Sequence, residues 1–200
     1  MTGADGFLAG FIISALRERG WRVLRGTRAS RAVGEDARHC DFERLPSPRH
    51  WMPKLAGVDA VVNLAGILRQ TARRRFDTIH HDAPLALAHA CVECGVPRFI
   101  QISALGDPTD GAFVTSKHRF DDALLALPIK AVVLRPSVVY STTGSYGGTS
   151  LLRALAAAPG VLALPGDGEW PIQPLAAEDL ARIVVRALDS KANGVFEVGG

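Results

Sequence analysis

Short β-branched and apolar runs alternate with longer stretches of helical periodicity along this chain of 200 residues. Such an alternation is typical of a parallel sheet that helices cover on both faces. Because crossovers between parallel strands are right-handed, the pattern predicts an α/β fold with a doubly wound parallel sheet, the Rossmann arrangement. The predicted strands are 21–24, 58–64, 99–103, 131–134 and 195–198, and the predicted helices are 7–19, 77–94, 113–127, 149–158 and 177–188.

The length of the chain and its hydrophobic content of 48% indicate one well-cored domain over residues 1–200. Two late segments, 141–148 and 164–174, have the composition of loops. Flexible loops late in an α/β chain commonly shape a ligand pocket. We therefore expect loops within 141–175 to contribute to a partial, small C-terminal substrate lobe.

Composition and charge argue against several classes of function. The apolar runs are too short to span a bilayer and no leader pattern opens the sequence, so we expect a cytoplasmic protein without a transmembrane segment. The net charge of +3 comes from clustered arginines and favours phosphorylated ligands, and no motif indicates nucleic-acid binding. Cys91 and Cys94 form a CxxC without a second pair, so we expect small helix residues and no metal site.

The sequence opens on TGADGFLAG, a glycine turn at the start of the first predicted helix. Gly3 and Gly6 let the backbone turn sharply and approach a pyrophosphate closely, while N–H groups at the helix N-terminus supply positive charge. A strand should precede such a turn, and here only Met1 and Thr2 do. We therefore expect a very short first strand or a missing native N-terminus.

About twenty residues after the glycine turn, the stretch WRVLRGTR supplies Arg25 and Arg28. An acidic residue in this region would bind a ribose 2′-hydroxyl, whereas arginine accommodates a 2′-phosphate. No Asp or Glu occurs until Glu35, so the sequence favours NADP(H) over NAD(H). The alternative is that both arginines are only solvated after a strand.

Further motifs follow the glycine turn in order: Asp41-Phe42, VVNLAG at 61–66, FIQISALG at 99–106, VTSK at 114–117 and LRPSVVY at 134–140. Together they resemble the extended and atypical short-chain dehydrogenase/reductases through nearly the whole chain. SALG and the later QPLAAEDLA are most similar to the branch that contains the NAD(P)-binding accessory subunit of respiratory complex I and bacterial nucleoside-diphosphate-sugar epimerase-like proteins. In such relatives, further elements of the substrate lobe follow the stretch that corresponds to VFEVGG.

The resemblance implies a cofactor role for each matching position. Gly3, Asp5, Gly6, Phe7 and Leu8 would border the pyrophosphate, Arg28 the adenosine phosphate, and Asp41 with Phe42 the adenine. Leu64, Ala65 and Gly66 would lie along the ribose, and Pro136 and Val138 beside the nicotinamide. His80 stands where many relatives have an asparagine near the active site, although a lone His is more often an ordinary helix residue.

The stretch GAFVTSK, residues 111–117, bears on whether dehydrogenase activity is expected. In these enzymes a Tyr-x-x-x-Lys pair places a phenol and an ammonium on one side of a helix. The ammonium lowers the pKa of the phenol, which can then exchange a proton as hydride moves. Here Phe113 occupies the Tyr position and has no proton to give, while Lys117 can still hydrogen-bond ribose hydroxyls.

In the family that the sequence resembles, a Ser or Thr after the fifth strand usually completes the catalytic set, but the resemblance puts Ala104 there and Ser103 one residue earlier. Lys117 and Ser103 are therefore what is left of a degenerate catalytic set. Loss of a general acid typically costs about 10²- to 10⁴-fold in rate. Tyr140 and Tyr146, in or beside a loop, are the more reachable substitutes for the missing acid.

Intact binding motifs beside a degraded catalytic set predict an NAD(P)-binding relative with weak or absent dehydrogenase activity and a structural or redox-sensing role. The alternative is an active NADP-dependent reductase, or a nucleotide-sugar epimerase or dehydratase, with an unusual proton donor. A third hypothesis is a protein-interaction module that binds no nucleotide. A small carbonyl or nucleotide-sugar substrate, a homodimer and peripheral association with a membrane complex all stay open.

Overall fold

A computed structural model describes residues 1–28, 34–144, 150, 153–155, 157, 169 and 172–200. All the paired strands within these residues run parallel, which confirms the predicted doubly wound fold class. The strands are β1 Arg25–Thr27, β2 Ala37–His39, β3 Ala60–Asn63, β4 Arg98–Ile102, β5 Lys130–Pro136, β6 Val139–Tyr140, β7 Leu175–Ala176 and β8 Gly194–Val198.

Residues 1–4 lie between β1 and β3, where a first strand was expected, and join two parts of the sheet. Strands β3, β4, β5 and β8 are neighbours in that order, and β1 pairs separately with β2. The Thr2 amide donates to the Val62 carbonyl at 3.0 Å, and the Gly26 amide donates to the Met1 carbonyl at 2.7 Å. The order is therefore β2, β1, residues 1–4, β3, β4, β5, β8, and the chain reverses direction across the sheet between residues 1–4 and β3. Ligands of open α/β sheets bind at such a switch point, beyond the carboxyl ends of the strands.

Helices cover both faces of this sheet and bury alternate residues of its strands. Val61, Phe99 and Val133 face one core with helices α3 and α4, and Val62, Ile100 and Val132 face the other with α1 and α5. The helices are α1 Phe7–Glu18, α2 Pro48–Trp51, α3 Ala83–Glu93, α4 Ala112–Leu125 and α5 Ala177–Asp189, with a π-helical turn Asp77–Asp82 before α3 and 3₁₀ turns Phe42–Arg44, Met52–Lys54 and Pro108–Asp110. Within the described part of the chain, none of these helices has the length and apolarity to cross a membrane.

The predicted strand at 21–24 is wrong, because the strand in this region begins at Arg25. A strand needs a partner alongside it, and the register starts where Arg25 pairs with Ala37. The partner strand β2 was not predicted, since its sequence Ala-Arg-His lacks an apolar run. The other predicted strands and helices agree with the structure to within a few residues. Half of the predicted helix at 149–158 lies outside the described residues, as does most of 145–171. Cys91 is buried within α3, while Cys94 is exposed at its end.

A chain of buried polar side chains links the central strands. The Thr2 hydroxyl donates to Asn63 Oδ1, and Asn63 Nδ2 donates to Gln101 Oε1 at 2.7 Å. Gln101 Nε2 in turn donates to the Ile102 carbonyl at 3.4 Å. All three side chains are buried, so each hydrogen bond offsets a desolvation cost that an unpaired group would pay in full.

Candidate functional site

A cavity of about 1330 Å³ lies at the carboxyl edge of the sheet, beside the switch point. Its lining comes from the glycine turn, the ends of β1, β3, β4 and β5, the start of α4 and the segment before β7. Ordinary small-molecule sites span about 300–1,000 Å³. The cavity is therefore large enough for an extended ligand and for part of a second molecule.

The glycine turn forms the floor of this cavity through one close backbone approach. Gly3 has φ +66°, and a Cβ built on it would lie 2.8 Å from the Ala65 nitrogen and from the Leu64 carbonyl carbon. Only glycine fits there, because an added methyl group would overlap the loop after β3 and the backbone is left-handed. Helix α1 follows its N-cap Gly6 with no side-chain cap and no acidic residue in its first turn. Its first N–H groups are therefore suited to an anion.

Asp5 fastens the glycine turn to β1. Its carboxylate accepts a hydrogen bond from the Thr27 hydroxyl and lies 3.6 Å from the Arg25 guanidinium. Arg25 is thus engaged within the turn, whereas Arg28 follows the end of β1 and lines the cavity. Of Arg25 and Arg28, the two arginines predicted to accommodate a 2′-phosphate, only Arg28 lines the cavity.

At the β2 end of the cavity, Phe42 is at the wall and Asp41 is not. The Phe42 ring packs edge-to-face on Trp51, with centroids 5.1 Å apart. Asp41 caps its own 3₁₀ turn, where it accepts from the Glu43 amide at 3.1 Å and pairs with Arg44 at 3.5 Å. The structure therefore brings Phe42 but not Asp41 to the place where the sequence predicts an adenine.

Lys117 lies buried in the wall of the cavity, on the inner face of α4. Its Nζ donates to the Ile102 carbonyl at 3.1 Å and lies 5.8 Å from the centroid of the Phe113 ring. A methyl group built on Gly66 would lie 3.5 Å from this Nζ, so the ammonium adjoins the loop after β3. Burial lowers the pKa of Lys117 from 10.5 to about 8, against a raising effect of Asp121. A cationic donor that has lost most of its water is thus held beside the predicted ribose position.

The Phe113 ring belongs to an aromatic cluster and has no hydroxyl. It lies edge-to-face against Phe76 and His80, with centroids 5.9 Å and 5.5 Å away. Phe76 and His80 stack on each other at 5.0 Å. The ring lines the cavity at the position that the family resemblance assigns to the proton-exchanging tyrosine.

His80 is a structural link that sequence reasoning treated as an ordinary helix residue. The Ile67 amide donates to its Nε2 at 3.0 Å, so Nε2 is unprotonated and Nδ1 carries the proton, 2.8 Å from the Ser116 hydroxyl. Burial and the nearby Lys117 charge lower the pKa of His80 from 6.5 to about 3. A neutral imidazole thus ties the loop after β3 to α4. The signal in the sequence was the match of His80 to an active-site asparagine of relatives.

Ser103 points its hydroxyl into a buried charge cluster beneath the cavity. It donates to Asp121 Oδ2 at 2.7 Å, and Arg135 donates to the same oxygen at 3.1 Å. Burial raises the pKa of Asp121 in spite of these two donors. Asp121 stands four residues after Lys117 on α4, a spacing that could have revealed it from the sequence.

At the next position, Ala104 lines the cavity with a methyl group only, and its carbonyl accepts from His118 Nε2 at 2.9 Å. Thr115, Ser116, His118 and Tyr140 also carry movable protons, and none of these four lines the cavity. Thr115 and Ser116 bond to backbone carbonyls of their own helix region, and Tyr140 is not at the wall. Tyr146 lies outside the described residues.

The structure thus gathers all the predicted cofactor residues except Asp41 around one cavity, together with Ser103, Ala104 and Phe113. Their roles toward a ligand stay predictions. Over the described ranges, the chain has no group of three His, Cys, Asp or Glu side chains that could hold a metal ion.

Comparison with known proteins gives a consistent picture of the fold. The chain matches the NAD dependent epimerase/dehydratase family over residues 1–199. It superimposes on the UDP-glucose 4-epimerase of Thermus thermophilus, solved in complex with NAD, with a TM-score of 0.76 at 19% identity, covering 99% of this chain and 76% of that one. At this identity the likeness shows a shared fold.

Two curated relatives match in sequence. A ceramide reductase of Caulobacter vibrioides is 29% identical over 146 residues, 70% of this chain and 45% of that protein. Subunit 9 of the NADH dehydrogenase [ubiquinone] 1 alpha subcomplex, a mitochondrial protein of Arabidopsis thaliana, is 27% identical over 217 residues, 99% of this chain and 52% of that protein. The chain spans about half the length of these relatives.

Proposed function

The chain belongs to the NAD-dependent epimerase/dehydratase family, and on that premise we propose that it binds a nicotinamide dinucleotide, NADP(H) rather than NAD(H), with weak or absent dehydrogenase activity. The observation that carries the proposal is the contrast between two side chains on the inner face of α4. Lys117 is positioned as a buried donor, while Phe113, one helical turn earlier, presents no exchangeable proton to the cavity.

The geometry of the binding half supports a dinucleotide. The uncapped start of α1 suits the pyrophosphate, and the turn is held close to the loop after β3 by the fit at Gly3. Phe42 offers an aromatic face to a base, and Lys117 a donor to ribose hydroxyls. Such a cofactor would supply hydride chemistry, while the residues of this chain bind and orient it.

The coenzyme preference rests on Arg28. It directly follows β1 and lines the cavity, in the region where a 2′-phosphate would need a cation. Asp36, which directly precedes β2, is bonded to Arg22 at 2.8 Å. No acidic side chain among the described lining residues other than Asp5 competes for a ribose, and Asp5 is bonded to Thr27.

The catalytic half supports weak or absent turnover. Phe113 and Ala104 offer a ring and a methyl group where a phenol and a hydroxyl are needed, and Ser103 donates to the buried Asp121. Loss of the general acid alone is worth about 10²- to 10⁴-fold in rate. A structural or redox-sensing role follows, and the similarity to the Arabidopsis subunit supports association with a respiratory membrane complex.

An active NADP-dependent reductase is the second candidate. The similarity to the ceramide reductase favours it, because that relative is named for turnover of its substrate. In that case a group outside the Phe113 and Ala104 positions must donate the proton.

Nucleotide titration tests the binding proposal. A ligand that binds only the native state at 100 times its Kd stabilises it by about 2.7 kcal/mol, or roughly 5–10 °C in Tm for a chain of this size. We expect NADPH to give this shift, Arg28→Ala to reduce it selectively for NADPH over NADH, and Arg22→Ala to leave it unchanged. Absence of any shift with either nucleotide would refute the proposal.

Restoring the missing groups tests the catalytic part. We expect near-background NADPH oxidation by the wild type with a panel of carbonyl compounds, and a rise of about 10²- to 10⁴-fold in a Phe113→Tyr, Ala104→Ser double variant. Wild-type turnover that Lys117→Ala abolishes and Phe113→Tyr does not increase would favour the second candidate instead.

A further inference from the structure

We propose that the part of the cavity beyond the nicotinamide position binds the aliphatic chain of an uncharged ligand and not a nucleoside diphosphate sugar. The inference rests on the proposed function, because it seats this ligand beside a bound dinucleotide. The same ligand class is expected whether the protein converts the ligand chemically or only binds it.

The first observation is an aliphatic rim, made of Leu68, Leu105, Val138 and Ile172. All four line the cavity and are 45%, 37%, 41% and 62% exposed. They are half of the large hydrophobic side chains that are exposed among the described residues, so exposed apolar surface is concentrated at this mouth. Exposed apolar groups that gather around a concave site mark a place where a partner covers them.

The second observation is where the charges of the cavity lie. Among the described residues, the charged lining side chains are Asp5, Arg28, Arg74 and Lys117. Asp5 and Arg28 stand at the glycine turn and the end of β1, and Arg74 is paired with Glu43 at 3.4 Å, next to Phe42. Lys117 is buried beside the loop after β3, at the predicted ribose position. The three cations thus lie at positions assigned to the dinucleotide or in an ion pair, and none of them belongs to the rim.

A nucleoside diphosphate sugar brings two phosphate charges that need arginine or lysine partners. The polar lining residues near the rim are Ser137 and Gln173, and the Ser137 hydroxyl donates to the Gln173 carbonyl. Arg153 does not line the cavity and is held by the Gly144 carbonyl at 3.1 Å, and Arg69, which follows Leu68, does not line it either. An apolar chain needs no such partners and gains free energy by covering the rim.

Isothermal titration of NADPH-saturated protein with 2-hexanone, 2-octanone and 2-decanone tests the inference, with UDP-glucose as the competing ligand class. Each methylene that enters the cavity should tighten binding by about two- to fourfold. We expect affinity to rise along the ketone series and UDP-glucose to bind more weakly than 2-decanone. An affinity that does not change with chain length, or tighter binding of UDP-glucose, overturns the inference.

Rim variants locate the binding. Leu105→Ser and Ile172→Ser should each weaken 2-decanone binding about threefold or more and leave NADPH binding unchanged, since neither side chain is assigned to the cofactor. Val195→Ser is the matched control, because Val195 is 39% exposed on β8 and does not line the cavity. Equal weakening by the control would show adventitious surface binding and overturn the inference.

The two proposals fail separately. Absence of an NADPH-induced Tm shift refutes the proposed function, and the ketone series is then titrated into the cofactor-free protein, where its chain-length dependence is read in the same way. An NADPH shift without ketone binding refutes the aliphatic ligand alone.

Discussion

Replacing Gly3 by Ala separates the two reasons why glycine is needed at the turn. The backbone at Gly3 has φ +66°, and the left-handed conformation costs an L-residue about 1–2 kcal/mol. The added Cβ would also lie 2.8 Å from the Ala65 nitrogen and the Leu64 carbonyl carbon, which are backbone atoms and cannot swing away. Overpacking of this kind costs about 1–3 kcal/mol more, so we expect a total of about 2–5 kcal/mol.

Gly20→Ala is the matched control for this experiment. Gly20 has φ +86° and no atom within 4 Å of an added Cβ, so only the conformational cost applies there. Urea unfolding of the wild type and both variants gives the two free-energy losses, provided that the m-value is unchanged. Thermal midpoints should fall by about 2–4 °C per kcal/mol. Equal losses in Gly3→Ala and Gly20→Ala would refute the close approach that shapes the cavity floor.

His80→Gln removes a group whose pKa is lowered to about 3. Because the unfolded chain takes up the proton first, the free energy of unfolding of the wild type should fall relative to that of the variant between about pH 6.5 and pH 3. Parallel curves of unfolding free energy against pH would contradict this. Lys117→Met removes an ammonium whose pKa is lowered from 10.5 to about 8. The wild type should therefore gain on the order of 3 kcal/mol of unfolding free energy relative to the variant between pH 8 and 10.5, because the folded protein loses the proton first. Urea midpoints across that window measure the gain, and a constant difference would speak against the burial of this charge. Asp121→Asn breaks the buried pair with Arg135 and should lower the free energy of unfolding by about 3–5 kcal/mol. Asp179→Asn breaks the exposed pair with Arg182 and should lower it by less than about 1 kcal/mol. Similar losses in denaturant unfolding would show that the buried pair contributes little.

Local patterns predicted the parts of the fold and site that depend on neighbours in sequence. Four-residue helical spacing placed Phe113 and Lys117 on one face, and the ammonium does lie over the ring at 5.8 Å. The run at 99–103 became strand β4, Arg98–Ile102, because a buried parallel strand is apolar along its whole length. The glycine spacing likewise predicted the turn at Gly3, where the observed φ of +66° requires glycine.

The features that were missed depend on partners far along the chain. β1 begins at Arg25 because Ala37 lies beside it, and nothing in residues 21–24 encodes that register. The role of His80 is defined by Ile67 and Ser116, which are 13 and 36 residues away. The position of Asp41 has a local cause instead, because its carboxylate caps its own 3₁₀ turn and does not line the cavity; its role toward a ligand stays a prediction.

The polar chain from Thr2 through Asn63 to Gln101 fixes the register of residues 1–4 against β3. Side chains alternate between the faces of a strand, so a slip of one residue would turn Thr2 away from Asn63 and leave a buried amide oxygen with fewer donors. Asn63 Oδ1 also accepts from the Ala65 amide at 3.3 Å, in the loop against which Gly3 packs. One asparagine therefore fixes the spacing between the glycine turn and the loop after β3, two adjoining segments of the cavity lining.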